Sequence, residues 1–414
     1  MRLSLPATTI TGLVAFCLTA CASSMPPPSS RMSAGDAEAL YTKRYRQYAT
    51  GETGLAAYDT LAPLPGVRKW HPLPAGRSIP QAALAKARDY AAANNSSAFM
   101  VWHRGRLVEQ SYFGGVRDDT PIISKSLSKP LAVIAVGRAI AKGHIASLDQ
   151  PMADFITEWR GTPRAAITIR QVLGMRSGLL PQGVASDPAD ILNRAYLHPY
   201  HDRIIIDEYP LVDTPGSRYE YSNANGELIA PLIERATGKP FADWIAREVL
   251  APIGARGGQI WMNRAGGTPH SGCCALMPAE TYLRLGILLA RDGVWEGRRL
   301  LPNGFVRAMT TPTEQNPHAG LGVYIGSPYA EWRGPANPDV TFGRSFHSAP
   351  YAAPDLFLFD GNTNQVVYIV PSRQLVILRT GERPPTKPVW DNAMLPNILL
   401  HALGADDQAG ASGK

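Results

Sequence analysis

Charge is sparse in this chain. Only 18 % of the 414 residues are Asp, Glu, Lys or Arg, while 45 % are hydrophobic, a balance that excludes an intrinsically disordered protein. The formal net charge of +7 is spread along the sequence. No run of Lys and Arg concentrates it, so nucleic acid is not an expected partner. Cysteine is scarcer still: Cys17, Cys21, Cys273 and Cys274 are all there are. Two of these lie at the extreme N-terminus and two are adjacent, which leaves no disulfide framework and no zinc motif. Neighbouring Cα atoms sit about 3.8 Å apart, below the usual disulfide range of about 4.4–6.8 Å, so Cys273 and Cys274 are expected as two small buried thiols. The nine histidines show no metal-ligand spacing, and no metal is expected. Repeats are lacking as well. By contrast 38 Gly and 36 Pro are present, and they imply shaped loops around one large core.

Long apolar runs are also missing. The stretch Ile10 to Ala20, preceded by Arg2, is too short to cross a bilayer as a mature helix and reads as a signal peptide. It ends in Leu18-Thr19-Ala20-Cys21, which resembles the bacterial lipobox. That resemblance implies cleavage after residue 20, lipidation of Cys21, and a domain held in the periplasm by a lipid anchor in a membrane, the outer one in preference to the inner. The following Ser, Pro, Gly and Ala residues suit a tether, with 21–40 assigned to it.

Along the rest of the chain the periodicities change twice. Residues 79–93 predict a helix, and 98–102 and 107–113 predict a β-hairpin around Arg104-Gly105. A second hairpin is expected from 366–370 and 375–380, followed by a helix over 390–403. Between them, from about 145 to 320, the pattern is mainly helical. The expected fold is α/β of the α+β type. One antiparallel sheet is built from both termini and flanked by helices, with an inserted, mainly helical lobe. The globular unit is assigned to 41–404 and a polar tail to 405–414.

Two motifs carry chemistry. Ser126 and Lys129, in Ser124-Lys125-Ser126-Leu127-Ser128-Lys129-Pro130, open the apolar run Leu131 to Ile140 and lie three residues apart, on one helix face. No other serine here has a lysine three residues on. A serine hydroxyl needs a base, and a desolvated lysine can serve. Downstream, Pro215-Gly216 leads through a short aromatic strand to Tyr221-Ser222-Asn223. A tyrosine beside a lysine can shuttle a proton, and Asn223 offers a donor and an acceptor to a substrate amide.

Together these motifs resemble those of the serine β-lactamase and penicillin-binding-protein superfamily. The similarity is to the branch related to class C β-lactamases, family VIII esterases and 6-aminohexanoate-dimer hydrolase. Ordered agreement through Arg176-Ser177-Gly178-Leu179, 232–241 and 250–254 extends it over roughly 80–400. The resemblance implies that Ser126 is the nucleophile, Lys129 and Tyr221 handle its proton, and Asn223 binds substrate, without a cofactor. It also implies a third element on a strand, which by position is Phe359-Asp360-Gly361. Here an apolar group and an acid replace the family's Lys-Thr, which disfavours β-lactams and D-alanyl peptides. Gly361 is expected to admit the substrate, the Asn362 N–H to join that of Ser126 as an oxyanion hole, and His347 to touch substrate. The implied function is hydrolysis of a small-molecule ester or linear amide through an acyl-enzyme on Ser126. A β-lactamase, a DD-peptidase or a non-catalytic envelope-binding protein are the alternatives.

Overall fold

The computed structural model of the chain describes residues 32–51, 54–181, 185–334, 337–340 and 343–412. The expected leader and Cys21 lie outside the described residues. The strands that matter here are β1 (Leu61–Leu64), β2 (Ser96–His103), β3 (Arg106–Tyr112), β4 (Pro121–Ile123), β5 (Gly258–Trp261), β6 (Ala275–Pro278), β7 (Tyr324–Ile325), β8 (Phe357–Gly361), β9 (Gln365–Val370) and β10 (Leu375–Gly381). The helices are α1 (Ala34–Ala49), α2 (Gln81–Ala93), α3 (Lys129–Ala141), α4 (Asn223–Glu227), α5 (Ile229–Thr237), α6 (Ala279–Ala290) and α7 (Met394–Ser412).

The main sheet is antiparallel throughout, in the order β3-β2-β10-β9-β8-β7, and so joins strands from both ends of the chain. Its side chains alternate with period two, as a sheet buried on both faces requires. Met100, Trp102, Phe357, Phe359, Val367, Ile369, Val376 and Leu378 face the larger core, shared with α3 and α6. Phe99, Val101, Leu358, Val366, Tyr368, Val370, Leu375 and Ile377 face the opposite way, onto Leu84 and Ala87 of α2 and Leu395 and Leu399 of α7. Each of these fully buried side chains contributes about 1.5–3 kcal/mol. Helix α3 is apolar almost all round, and eleven of its thirteen residues are buried. Among the described residues no helix is long and apolar enough to cross a membrane.

A second antiparallel sheet, in the order β1-β5-β6-β4, stands beside the first. The region from 145 to 320 thus contributes two strands, β5 and β6, to a sheet as well as its helices. Strand β4 ends at Ile123, immediately before the Ser126 turn, and its pairing with β6 fixes where that turn begins.

Four local expectations differ from the structure. Cys273 and Cys274 form a disulfide, with Cα atoms 3.7 Å apart. The spacing rule describes pairs distant in the chain. Here Cys274 takes a left-handed φ of 73°, a backbone turn that an extended pair lacks. Tyr219-Glu220-Tyr221 is irregular chain, not a strand; its neighbours are loop residues, with Asn337 donating to the Tyr219 carbonyl. Helix α1 begins at Ala34, inside the segment assigned to the tether, because Ala37, Tyr41 and Arg44 bury one face. Helix α7 continues to Ser412 through residues assigned to a polar tail, where Ala405, Ala409 and Ala411 favour helix.

Candidate active site

The Ser-x-x-Lys motif forms a 3₁₀ turn, Lys125–Ser128, that runs directly into α3 at Lys129. Ser126 therefore lies on the approach to the helix, one turn ahead of the lysine. Pro130 occupies the first turn of α3, where its missing N–H costs nothing. Lys129 is only 6 % exposed. Its Nζ donates to Ser126 Oγ at 3.1 Å, to Asn223 Oδ1 at 2.8 Å and to the carbonyl of Gly272 at 2.7 Å. Three acceptors match the three protons of an ammonium. The same nitrogen stands 4.9 Å from the Tyr221 ring centroid. Ser126 Oγ also lies 2.7 Å from Tyr221 Oη. Ser126 Oγ thus lies between the Lys129 ammonium and the tyrosine oxygen, within reach of a proton transfer between the two hydroxyl oxygens.

Asn223 is the first residue of α4, and this short helix is set against the Gly272 segment by necessity. A Cβ on Gly226 would lie 2.6 Å from Gly272 Cα and 3.5 Å from Lys129 Cε, so only glycine lets the two chains meet. Ser271 Oγ fastens the contact by donating to the Gly226 carbonyl at 2.7 Å. The Gly272 carbonyl thereby becomes a fixed acceptor for Lys129. Nothing in the sequence marks it, since a main-chain oxygen carries no side-chain signal.

Strand β8 lies along the Ser126 turn. A Cβ on Gly361 would come within 2.9 Å of Leu127 N and 3.0 Å of Ser124 O, so the glycine is needed for the strand to touch the turn itself. Gln365 Nε2 ties the same hairpin to the Ile123 carbonyl at 2.7 Å, a link that sequence reading missed. Asn362 is exposed at the end of β8 and lines the cleft that contains Ser126. Phe359 points into the core and offers nothing to the site. Asp360 points the other way, into small cavities shared with Ser126, Lys129 and Tyr324 on one side and Arg333 and His347 on the other. Burial pushes its carboxyl up to about 7, against the pull of Arg333.

His347 is not brought to Ser126. It is 2 % exposed and held in a structural network. Arg333 Nε donates to its Nε2 at 3.0 Å, Asn392 lies 3.3 Å from the same nitrogen, and the Ser345 carbonyl is 3.0 Å from Nδ1. Burial, with Arg333 beside it, pushes its pKa down to about 4. The reason is topological: the residue follows a short strand whose partner, Trp332-Arg333, turns the ring away from the cleft.

The cleft itself has a volume of about 200 Å³. Ser126, Asn223 and Asn362 line it together with Tyr58, Tyr196, Trp261, the Cys273–Cys274 disulfide, Tyr48, Lys125 and the buried Arg44. Apart from the first three, none of this wall was recognised from sequence, because its members come from four distant stretches.

One buried cluster could be asked to hold a metal. His201, Glu227 and His270 bring one donor atom each within 4.8 Å of one another, and all three are buried. His201 Nε2 and His270 Nδ1 each lie 3.5 Å from a different Glu227 oxygen. The two imidazoles, however, stack at 4.3 Å with planes 14° apart, and His270 stacks in turn on Trp261 at 3.8 Å. Imidazole lone pairs lie in the ring plane, so two nearly parallel rings do not converge on one ion. The arrangement fits a carboxylate facing two rings. Burial works to raise the Glu227 carboxyl, but the imidazoles outweigh it and hold it below its ordinary range. Burial pushes His270 down to about 4.

Ser126 thus stands between a lysine and a tyrosine beside a cleft, on a two-sheet α+β frame. The family model described as Beta-lactamase matches residues 82–393. The chain belongs to this family. Esterase EstB of Burkholderia gladioli is 33 % identical over 159 residues, which cover 34 % of this chain and 38 % of the relative. The 6-aminohexanoate-dimer hydrolase of Paenarthrobacter ureafaciens is 24 % identical over 231 residues, covering 52 % of this chain and 57 % of the relative. The matches thus span less than two thirds of either relative. Among solved structures, a family VIII carboxylesterase superposes with a TM-score of 0.58 at 17 % identity, covering 80 % of this chain and 99 % of that one. The expected antiparallel architecture is the family's.

Proposed function

We propose that this β-lactamase-family protein is a serine hydrolase that cleaves an ester or linear amide through an acyl-enzyme on Ser126. The observation that carries the reading is the joint hold on Ser126 Oγ, 2.7 Å from Tyr221 and 3.1 Å from Lys129. In the first half-reaction Oγ attacks the substrate carbonyl while its proton passes to Tyr221 Oη, the tyrosine entering the step as its phenolate. The Lys129 ammonium stabilises the charge developing along this path. The Ser126 and Asn362 N–H groups hold the oxyanion, and Asn223 orients the acyl group. Collapse expels the leaving group, which takes the proton from Tyr221. Water then attacks the acyl carbonyl, Tyr221 accepts its proton and returns it to Ser126, and the acid leaves.

The preference for esters and linear amides over β-lactams rests on β8. The strand offers the core-facing Phe359 where the family's lysine would attract a carboxylate, with the acid Asp360 next to it, and the two relatives named above are an esterase and a 6-aminohexanoate-dimer hydrolase. Hydrolysis of 4-nitrophenyl butyrate should fall at least 1000-fold in Ser126→Ala, and a fluorophosphonate should add to Ser126 in the intact protein. Full activity in Ser126→Ala sinks the mechanism; absence of any adduct points to a binding protein, and rapid nitrocefin turnover to a β-lactamase.

The same proposal places the domain in the periplasm on a lipidated Cys21, supported by Leu18-Thr19-Ala20-Cys21 at the end of the apolar leader. Detergent-phase partitioning that survives Cys21→Ala would refute the anchor.

A further inference from the structure

The Cys273–Cys274 disulfide stands between the two halves of the candidate active site. On one side it follows Gly272, whose carbonyl accepts from Lys129 Nζ at 2.7 Å. On the other it leads into β6, which pairs with β4 just ahead of the Ser126 turn. The Cys274 N–H donates to the Lys125 carbonyl at 3.5 Å, and Ser128 Oγ donates to the same oxygen at 3.0 Å. Both cysteines are buried in the fold, yet both line the cleft that contains Ser126. The proposed reaction uses neither sulfur.

The hold on the Gly272 carbonyl has two parts. Gly226 packs against Gly272 Cα, and Ser271 fastens the chain just before it. These contacts place the Cα atom. The direction of the carbonyl depends on the peptide plane that follows, and that plane runs into Cys273. There the Tyr196 hydroxyl meets Cys273 Sγ at 3.3 Å, and the S–S bond closes a small ring through the Cys273–Cys274 peptide. Inside that ring ψ of Cys273 and φ of Cys274 cannot turn freely. The φ of Cys274, 73°, lies in the left-handed region, which a cysteine outside such a ring rarely occupies. Two thiols cannot sit as close as two bonded sulfurs. Reduction therefore pushes the sulfurs apart and frees the backbone between Gly272 and β6.

We propose that the Cys273–Cys274 disulfide is a positioning element for Lys129: bonded, it holds the Gly272 carbonyl on the lysine, and reduced, it lets that acceptor move and slows acylation of Ser126. The inference rests on the serine-hydrolase reading and names a redox control of that same site. The exchange is a two-electron step with a small dithiol that enters through the cleft. One thiolate of the reagent attacks a cysteine sulfur and breaks the S–S bond, and its second thiol resolves the mixed disulfide. The chain gains two electrons and two protons as two thiols, and the reagent leaves as its own cyclic disulfide.

Treatment of the native protein with dithiothreitol tests this, with alkylation and peptide mapping to confirm that Cys273 and Cys274 are free. For 4-nitrophenyl butyrate kcat should fall about 10- to 100-fold with KM little changed. It should recover when the pair is reoxidised with oxidised glutathione. The double variant Cys273→Ser with Cys274→Ser should turn over at the reduced rate and ignore the reagent. In Lys129→Met the residual rate of fluorophosphonate labelling at Ser126 should be the same with and without the bond, because the bond acts through the lysine. The proposal is overturned by an unchanged kcat in the alkylated protein, or by a loss that tracks the near-ultraviolet circular dichroism of unfolding. A reductant effect undiminished in Lys129→Met overturns it too. If the bond resists the reagent until the protein unfolds, the double variant decides, and full activity there rejects the proposal. Hydrogen exchange over 271–274 and 125–129 reads the release without turnover. Faster exchange on reduction, in a protein that hydrolyses no ester, would reject the hydrolase and keep the positioning role. Unchanged exchange rejects the positioning role whatever the turnover.

Discussion

Two buried polar clusters lie back to back across the Gly226–Gly272 contact, and they are built on opposite terms. Around Lys129 every donor has an acceptor, and Ser126 and Asn223 open onto the cleft. Around Glu227 both carboxylate oxygens and all four imidazole nitrogens of His201 and His270 lack a hydrogen-bond partner, and the cluster is sealed. Proteins leave few such groups buried, because each costs about 1–3 kcal/mol. The difference separates two uses of a buried charge. Where the charge borders the cleft, it is satisfied and aimed at Ser126 Oγ. Where it is sealed, it is held by ring stacking and by long charge–imidazole contacts, and its consequences fall on stability.

The largest effect expected from this contrast is catalytic. Lys129→Met should lower kcat for a nitrophenyl ester by at least 1000-fold, while the free energy of unfolding changes by no more than about 1 kcal/mol. Water from the cleft can take over the acceptors that the lysine leaves. A large loss of stability would merge the two clusters into one class. His270→Ala should do the reverse. It leaves the Glu227 carboxylate short of a partner and should cost about 3 kcal/mol or more in denaturant titration. Adding Glu227→Leu should recover part of that cost, a non-additivity that simple loss of ring volume would not produce.

The smallest effect is on pH dependence. His270 and His347 both titrate near 4 when folded, against about 6.5 when unfolded. Between these values the unfolded chain binds more protons, so stability should rise with pH across that window by up to about 1.4 kcal/mol per unit per histidine. Asp360 and Glu234, each raised to about 7 by burial, oppose them, since their folded forms hold protons that the unfolded chain releases above about 4. Thermal melts between pH 4 and 7 should show a less positive slope of stability against pH in His270→Ala than in the wild type. Equal slopes in the two proteins would remove this histidine from the account.

The contrast also explains what could be read from the sequence. Ser126 with Lys129, and Tyr221 with Asn223, announce themselves because each pair is local and the residue types are chemically loaded. The sheet is legible for a similar reason: strict alternation in 98–102 and 366–380 marks strands buried on both faces. The sealed cluster gathers residues 201, 227 and 270 from separate segments, and no spacing rule links them. The Gly272 acceptor is a main-chain oxygen. The disulfide falls outside the Cα-spacing rule, which describes distant partners, because Cys274 reaches its neighbour through a left-handed backbone.

The placement of the cleft wall before residue 82 has a consequence for how this protein can change. The nucleophile candidate lies inside the family match and part of the cleft wall before it, and the two stretches meet where Tyr58 touches Lys125, where β1 pairs with β5 and where Arg44 reaches the Leu197 and Asn263 carbonyls. Variation in helix α1 and the segment after it can therefore be sampled without touching the bonds that hold Ser126. A library confined to Gln47, Tyr48 and Tyr58 should yield catalysts that differ in what they accept more than in how fast they can act.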